Sequence, residues 1–269
     1  MLIINADDWG RSGAETDAAL RCYKAGRITS VSAMVFMADS ERAAELAKEN
    51  KLDVGLHLNF AERFTGNTIA TTLGNYHSKI VHFLMRNRYS QLLYNPFLRR
   101  EFSYSYEAQA EEFARLFGKL PSHIDGHHHM HLCANVLFSD MNPAGTKMRR
   151  NFSFWAGEKS WLNRAYRALV DRWRARRYEL TDYFFDLTQC IHEQKLDRVA
   201  ALAKSSNVEL MTHPIIQREA DYLMSDEFSE LLQRLENRSK LCLRTRQFYF
   251  RVHQILALKL IQRKLIEMN

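Results

Sequence analysis

Four groups of polar residues in this chain could do chemistry, and each closes a short apolar run: Asn5-Ala-Asp7-Asp8, His57-Leu-Asn59, Asp125-Gly-His127-His128-His129-Met-His131, and Thr212-His213-Pro. The third is the most specific, with four imidazoles in five positions directly after Asp125. Imidazole is the commonest neutral metal ligand, and a nearby carboxylate can orient its second nitrogen. An ion that keeps an open coordination position cannot use all four, so some of these histidines must orient ligands or face a substrate. Asp7 and Asp8 sit where two carboxylates are costly without a cation. The bland alternative, a helix N-cap, needs only one of them. Neighbouring strand residues point to opposite sides, so both carboxylates reach one site only if the strand has already ended. His57 lies between Leu56 and Leu58 and points away from their face, into a barrel interior or a crevice; alone it reads more readily as a structural histidine than as a ligand. His213 precedes a proline that stops strand pairing, and could be a general acid, a ligand or a turn residue. An aspartate with two histidines leaves positions for water and substrate, which is the requirement of metal-assisted hydrolysis.

The elements that carry these groups alternate. Apolar runs at 1–6, 30–36, 53–59, 122–126, 147–149, 182–187 and 208–212 read as strands, and segments 15–25, 40–49, 107–117, 158–177 and 193–205 as helices. This rhythm argues for an α/β domain with parallel strands. The C-terminal strand ends of such a domain share one face, so the four polar groups are expected to converge there. Periodicity alone fits an open doubly wound sheet and a closed barrel equally. Residues 62–105 break the rhythm and read as a long excursion over one face, either a roof to the site or a peripheral hairpin or helix pair.

At 269 residues and 46% apolar, the chain fits a single domain spanning 1–269. Its formal charge of +7 is concentrated. Segment 159–177 carries Lys159, Arg164, Arg167, Arg172, Arg174, Arg176 and Arg177 against Asp171 alone, and a second basic segment occupies 240–269. The first reading is a solvated helix face, with peripheral contact to an anionic membrane as the variant to test. Nucleic-acid-binding signatures are absent. Cys22, Cys133, Cys190 and Cys242 are scattered, without metal or disulfide spacing, so reduced thiols and a cytoplasmic location are expected, with any membrane contact on the inner face. The N-terminus has no basic leader, and no stretch reaches the roughly 20 apolar residues of a spanning helix.

Taken together, these motifs resemble the YdjC family of carbohydrate deacetylases, which includes chitooligosaccharide and hopanoid-linked deacetylases. Asn5-Ala-Asp-Asp-Trp-Gly, Gly55-Leu-His-Leu-Asn, His123-Ile-Asp-Gly-His-His-His-Met-His-Leu and Thr212-His-Pro resemble the family's motifs in order, over about residues 1–215. The resemblance implies a distorted (β/α) barrel with parallel strands, which periodicity left open. It implies that Asp8, His57 and His127 bind one divalent metal, that Asp7 is the base and that His213 lies across the site as an acid. Asp125, His128, His129, His131 and Asn59 are then expected to orient ligands or meet the substrate. The expected substrate is an N-acetylated sugar, and the expected metal magnesium or zinc, with manganese or cobalt as substitutes. Trp9, Phe60 and Phe64 stand near the first two motifs and could stack on sugar rings or belong to the core. A homodimer is compatible with all of this. Two departures bear on substrate identity: no glycine follows the fourth motif, and no proline follows the second. Two other classes fit the same metal constellation, a phosphoesterase and a non-catalytic protein binding a sugar or lipid surface.

Overall fold

The computed structural model describes residues 1–87 and 89–239. The basic segment expected at 240–269 lies outside the described residues. Six parallel strands, β1 (Leu2–Trp9), β2 (Ser30–Ala33), β3 (Val54–Leu58), β4 (Ile124–Gly126), β5 (Tyr183–Asp186) and β6 (Val208–Thr212), form one sheet in the order β4-β3-β2-β1-β6-β5. The sheet is curled into a half-barrel. Helices α1 (Gly13–Lys24), α2 (Ser40–Glu49), α3 (Thr71–Met85), α4 (Arg99–Phe117), α5 (Ala134–Leu137), α6 (Trp161–Arg174), α7 (Leu187–His192), α8 (Leu196–Ala203), α9 (Gln217–Met224) and α10 (Asp226–Ser239) fill the connections. Helix α4 ends on Gly118, whose φ of 66° supplies the left-handed cap.

The strands alternate apolar and polar residues, and the two faces meet different surroundings. Ile4, Ala6, Val31, Ala33, Leu56, Leu58 and Leu210 join the apolar core. The opposite face carries Asn5 and Asp7 on β1, Ser30 and Ser32 on β2, His57 on β3, Asp125 on β4 and Glu209 on β6, all buried. This polar face is the concave one. Three strand spacings separate β4 from β1, roughly 14 Å on a flat sheet, yet one nitrogen of Arg149 lies 2.6 Å from both Asp7 and Asp125. Only a curled sheet brings those strands to a single guanidinium.

The predicted strand at 147–149 is a narrower feature than expected. Met148 bridges Ile124, Lys147 bridges Glu179, and further on the Ser153 amide donates to the Phe184 carbonyl at 2.8 Å. Residues 147–153 are thus laid across the gap between the sheet edges β4 and β5.

The excursion at 62–105 contains α3 and the start of α4, packed on each other as a helix pair. Its buried centre is His77, 2% exposed. The ring stacks on Phe64 at 3.8 Å, and Nε2 donates to the Glu62 carbonyl at 2.7 Å. Burial lowers its pKa to about 4, despite the bond to that carbonyl. The unfolded chain binds this proton from about pH 6.5 downward and the folded chain only near pH 4. The neutral ring therefore favours the fold above pH 6.5, and that contribution, about 3 kcal/mol, is lost as the pH falls towards 4. Urea midpoints at several pH values should show His77→Gln losing less stability on acidification than the parent; parallel curves would exclude the effect.

Candidate metal centre

The strand that delivers the two aspartates does not end before them. β1 runs through Trp9, but its pairing with β2 shifts register between Ala6 and Trp9, and Asp8 takes a φ of 65°. This irregularity, rather than a strand end at Ala6, lets adjacent carboxylates face one site. Aspartate tolerates the left-handed region better than most residues.

His57 and Asp125 are register partners on β3 and β4, so their side chains leave the same face. His57 Nδ1 donates to Asp125 Oδ1 at 2.7 Å, which leaves Nε2 3.3 Å from Asp8 Oδ1. His127 Nδ1 lies 2.9 Å from the same oxygen. Ligand atoms of Asp8, His57 and His127 all fall within 4.8 Å of one another, and all three residues are buried. Ligands bound at about 2.0–2.2 Å and separated by near-right or tetrahedral angles lie about 3–3.5 Å apart, so this donor set fits one ion.

The charges agree with the geometry. Burial opposes ionisation of Asp7, but Arg149 outweighs it and holds that carboxyl below its ordinary value. Asp8 is also kept ionised against burial, by hydrogen bonds from His127 and His57, and Asp125 likewise by Arg149 and His57. Four buried carboxylates, Asp7, Asp8, Asp125 and Glu209, surround the one buried guanidinium of Arg149, so negative charge is in excess. Burial works against a charged His57, yet Asp125 and Asp7 raise its pKa to about 10. A proton there offsets part of the excess; a divalent cation would offset more of it.

Arg149 went unrecognised in the sequence, although it ends a predicted strand as the other polar groups do. It clamps Asp7 through two bonds of 2.6 Å, reaches Asp125 at 2.6 Å and donates from Nε to Glu209 at 2.7 Å. Asn5 and Ser32 complete this layer, Asn5 donating to Asp7 at 2.9 Å and Ser32 to Asp125 at 2.7 Å. Glu62 was also missed, although it follows the second motif closely. Its Oε1 lies 3.0 Å from His127 Nε2, without the alignment of a hydrogen bond, and it pairs with Arg11 at 2.6 Å.

The histidine cluster divides. His127 to Leu132 form a 3-10 turn in which His128 and His129 both have positive φ, 49° and 57°. Such conformations cost of order 1–3 kcal/mol each. Gly126 permits the fold-back, since a Cβ there would lie 2.9 Å from the His131 nitrogen. His127 joins the donor set, and the exposed His128 stands beside it with ring centroids 4.2 Å apart. His129 packs edge-on against Phe152 and Phe184, and burial lowers its pKa to about 3. His131 is buried and donates to the Arg149 carbonyl at 3.2 Å. The Asn59 side chain accepts from the Ala61 and Glu62 amides and so shapes the turn that carries Glu62. His213 lies at the rim, with Nε2 4.0 Å from Asp8 Oδ2 and its amide held by Glu219 at 2.5 Å. Of the three aromatics, Trp9 and Phe60 are fully buried, Trp9 donating to the Ala43 carbonyl, so stacking on a sugar is excluded for both. Phe64 is half-buried against Phe36 and His77.

Comparison with known proteins places this architecture among relatives. The model of the YdjC-like protein family matches residues 1–234. A carbohydrate deacetylase of Mus musculus is 29% identical over 246 residues, covering 79% of this chain and 77% of the mouse protein. A chitooligosaccharide deacetylase of Proteus mirabilis is 28% identical over 220 residues, covering 80% and 81%. A carbohydrate deacetylase of Danio rerio is 30% identical over 142 residues, half of this chain and 43% of that protein. A crystal structure from Enterococcus faecalis V583, of a protein named for cellobiose-phosphate cleavage, shares the fold: its TM-score is 0.59 at 20% identity, over 87% of this chain and 94% of that one.

Proposed function

The chain belongs to the YdjC-like family, and from that membership we propose that it is a metal-dependent hydrolase that removes an N-acetyl group from an amino sugar, part of an oligosaccharide or linked to a lipid. The observation that carries this reading is the convergence of Asp8, His57 and His127 on a site with an excess of buried negative charge. The names of the mouse and Proteus relatives support the choice of bond. Asp8, His57 and His127 would hold a divalent ion, zinc or magnesium, which would supply a Lewis acid for the acetamide carbonyl and for a water.

The chain's own groups do the rest. Asp7, kept ionised by Arg149, accepts the proton of the attacking water. Arg149 fixes that carboxylate bidentately, so its oxygens cannot rotate away. Asp125 sets the orientation and tautomer of His57. His213, at the open rim, gives a proton to the departing amine. Glu62 and His128 line the same mouth beside His127, where they can meet sugar hydroxyls. The products are acetate and a free amino sugar.

Acetate release from N-acetylated mono-, oligo- and lipid-linked sugars tests this directly. Release should stop with a chelator and return with zinc or magnesium. Turnover of a phosphodiester instead would favour a phosphoesterase, and no turnover with any divalent ion would leave a non-catalytic sugar-binding protein.

A further inference from the structure

Helix α6 was read from its arginines as a solvated basic face, and Arg164, Arg172 and Arg176 are indeed exposed, but Arg174 is buried and the helix also carries exposed apolar residues. Its inward side is anchored by charge. Buried Asp171 accepts from the Asn151 amide at 3.0 Å and pairs with Arg150 at 3.1 Å, and buried Arg174 donates to the Arg149 carbonyl at 2.9 Å. Its outward side mixes the exposed arginines with large apolar residues: Trp161 is 73% exposed and Leu169 68%, with Trp173 also exposed.

This surface continues beyond the helix. The Trp173 ring lies 5.8 Å from that of exposed Phe138, which lies 6.4 Å from that of Tyr94. Tyr94 belongs to a loop that also presents Phe97, 89% exposed. Asn95 and Asn135 fasten that loop to α5 through reciprocal bonds of 2.9 and 2.8 Å. Exposed Arg99, Arg100, Arg172 and Arg176 lie on the segments that carry the aromatics. Residues 86–100 hold no acidic side chain, and Asp140, near Phe138, is paired with Arg177.

A contiguous apolar surface of this kind marks an interaction site. Charge decides the partner. A second copy docked about a two-fold axis would set arginines against arginines. The chain's own residues 240–269 carry seven Lys or Arg against one acid, Glu267, and so offer no complement. Tryptophan, tyrosine and phenylalanine settle at the headgroup boundary of a bilayer, and arginines beside them meet lipid phosphates. No described helix is long and apolar enough to cross a membrane, so the contact is peripheral. We propose that α6, Phe138 and the Tyr94–Phe97 loop together dock this protein on a bilayer bearing anionic headgroups. The surface is built of residues outside the metal site, so the proposal stands whether or not the chain deacetylates sugars.

Full-length chain should co-sediment with vesicles of phosphatidylcholine plus phosphatidylglycerol, weakly or not at all with phosphatidylcholine alone, and less as salt is raised. Trp161→Glu with Leu169→Glu should weaken binding by about tenfold or more. Arg172→Gln with Arg176→Gln, which leaves the apolar surface intact, should reduce the preference for anionic vesicles. Absence of binding to either vesicle overturns the proposal, as does binding by the glutamate variant equal to the parent. Equal binding to both vesicle types removes the anionic partner. A parent dimer that the glutamate variant loses, seen by analytical ultracentrifugation, reassigns the surface to a second copy.

Discussion

Asp7→Asn should lower kcat for acetate release by about 10²–10⁴-fold while the protein still binds its divalent ion. The asparagine retains the size of the side chain and one acceptor for Arg149, but it cannot take a proton. Asp8→Asn makes the contrast. Asp8 Oδ1 is the atom on which His57 and His127 converge at 3.3 and 2.9 Å, so this variant should lose the ion itself, and turnover with it. Metal content by equilibrium dialysis, read beside kcat, separates the two aspartates. Undiminished turnover in Asp7→Asn would move the base elsewhere, with Glu62 the next carboxylate beside His127. Loss of the ion in that variant would make Asp7 a positioning residue.

Arg149→Met should destabilise the fold by about 3–5 kcal/mol, because removing one partner of a buried ion pair leaves the other uncompensated. Here three acids lose the same cation: Asp7, Asp125 and Glu209. For a chain of this size the expected fall in Tm is roughly 10 °C. Arg149→Lys should recover only part of it, since an ammonium cannot form the two parallel bonds to Asp7. Calorimetry of both variants checks this, and an unchanged Tm in Arg149→Met would refute the role of the guanidinium as the centre of the inner layer.

The residues that converge were legible because each closes an apolar run, and strand ends of a parallel sheet share a face. That reasoning found Asp8, His57 and His127 without a structure, with the choice inside each cluster drawn from the family resemblance. It did not find Arg149 or Glu62. Arg149 lies on a segment with only bridge pairing, where periodicity gives a weak signal, and Glu62 is positioned by a turn that Asn59 shapes through tertiary hydrogen bonds. The roles of His129 and His131 were hidden for a related reason. Two successive left-handed residues set the His128 ring beside His127 and the His129 ring against Phe152 and Phe184, which spacing cannot express. The exposed apolar residues of α6 were obscured because its arginines dominate composition, while which residues face inward depends on partners such as Asn151 and Arg149.

The strip of chain at 147–153 has one more consequence. An open sheet has two free margins, and here they are β4 and β5. Unpaired margins recruit strands from other molecules. This strip occupies both at once, through Met148 on one side and Ser153 on the other, and the side chain that pins its middle is Arg149. A lesion at that arginine therefore reaches past the chemistry to solubility: once the strip lifts, two sheet margins become available for edge-to-edge aggregation in the same event.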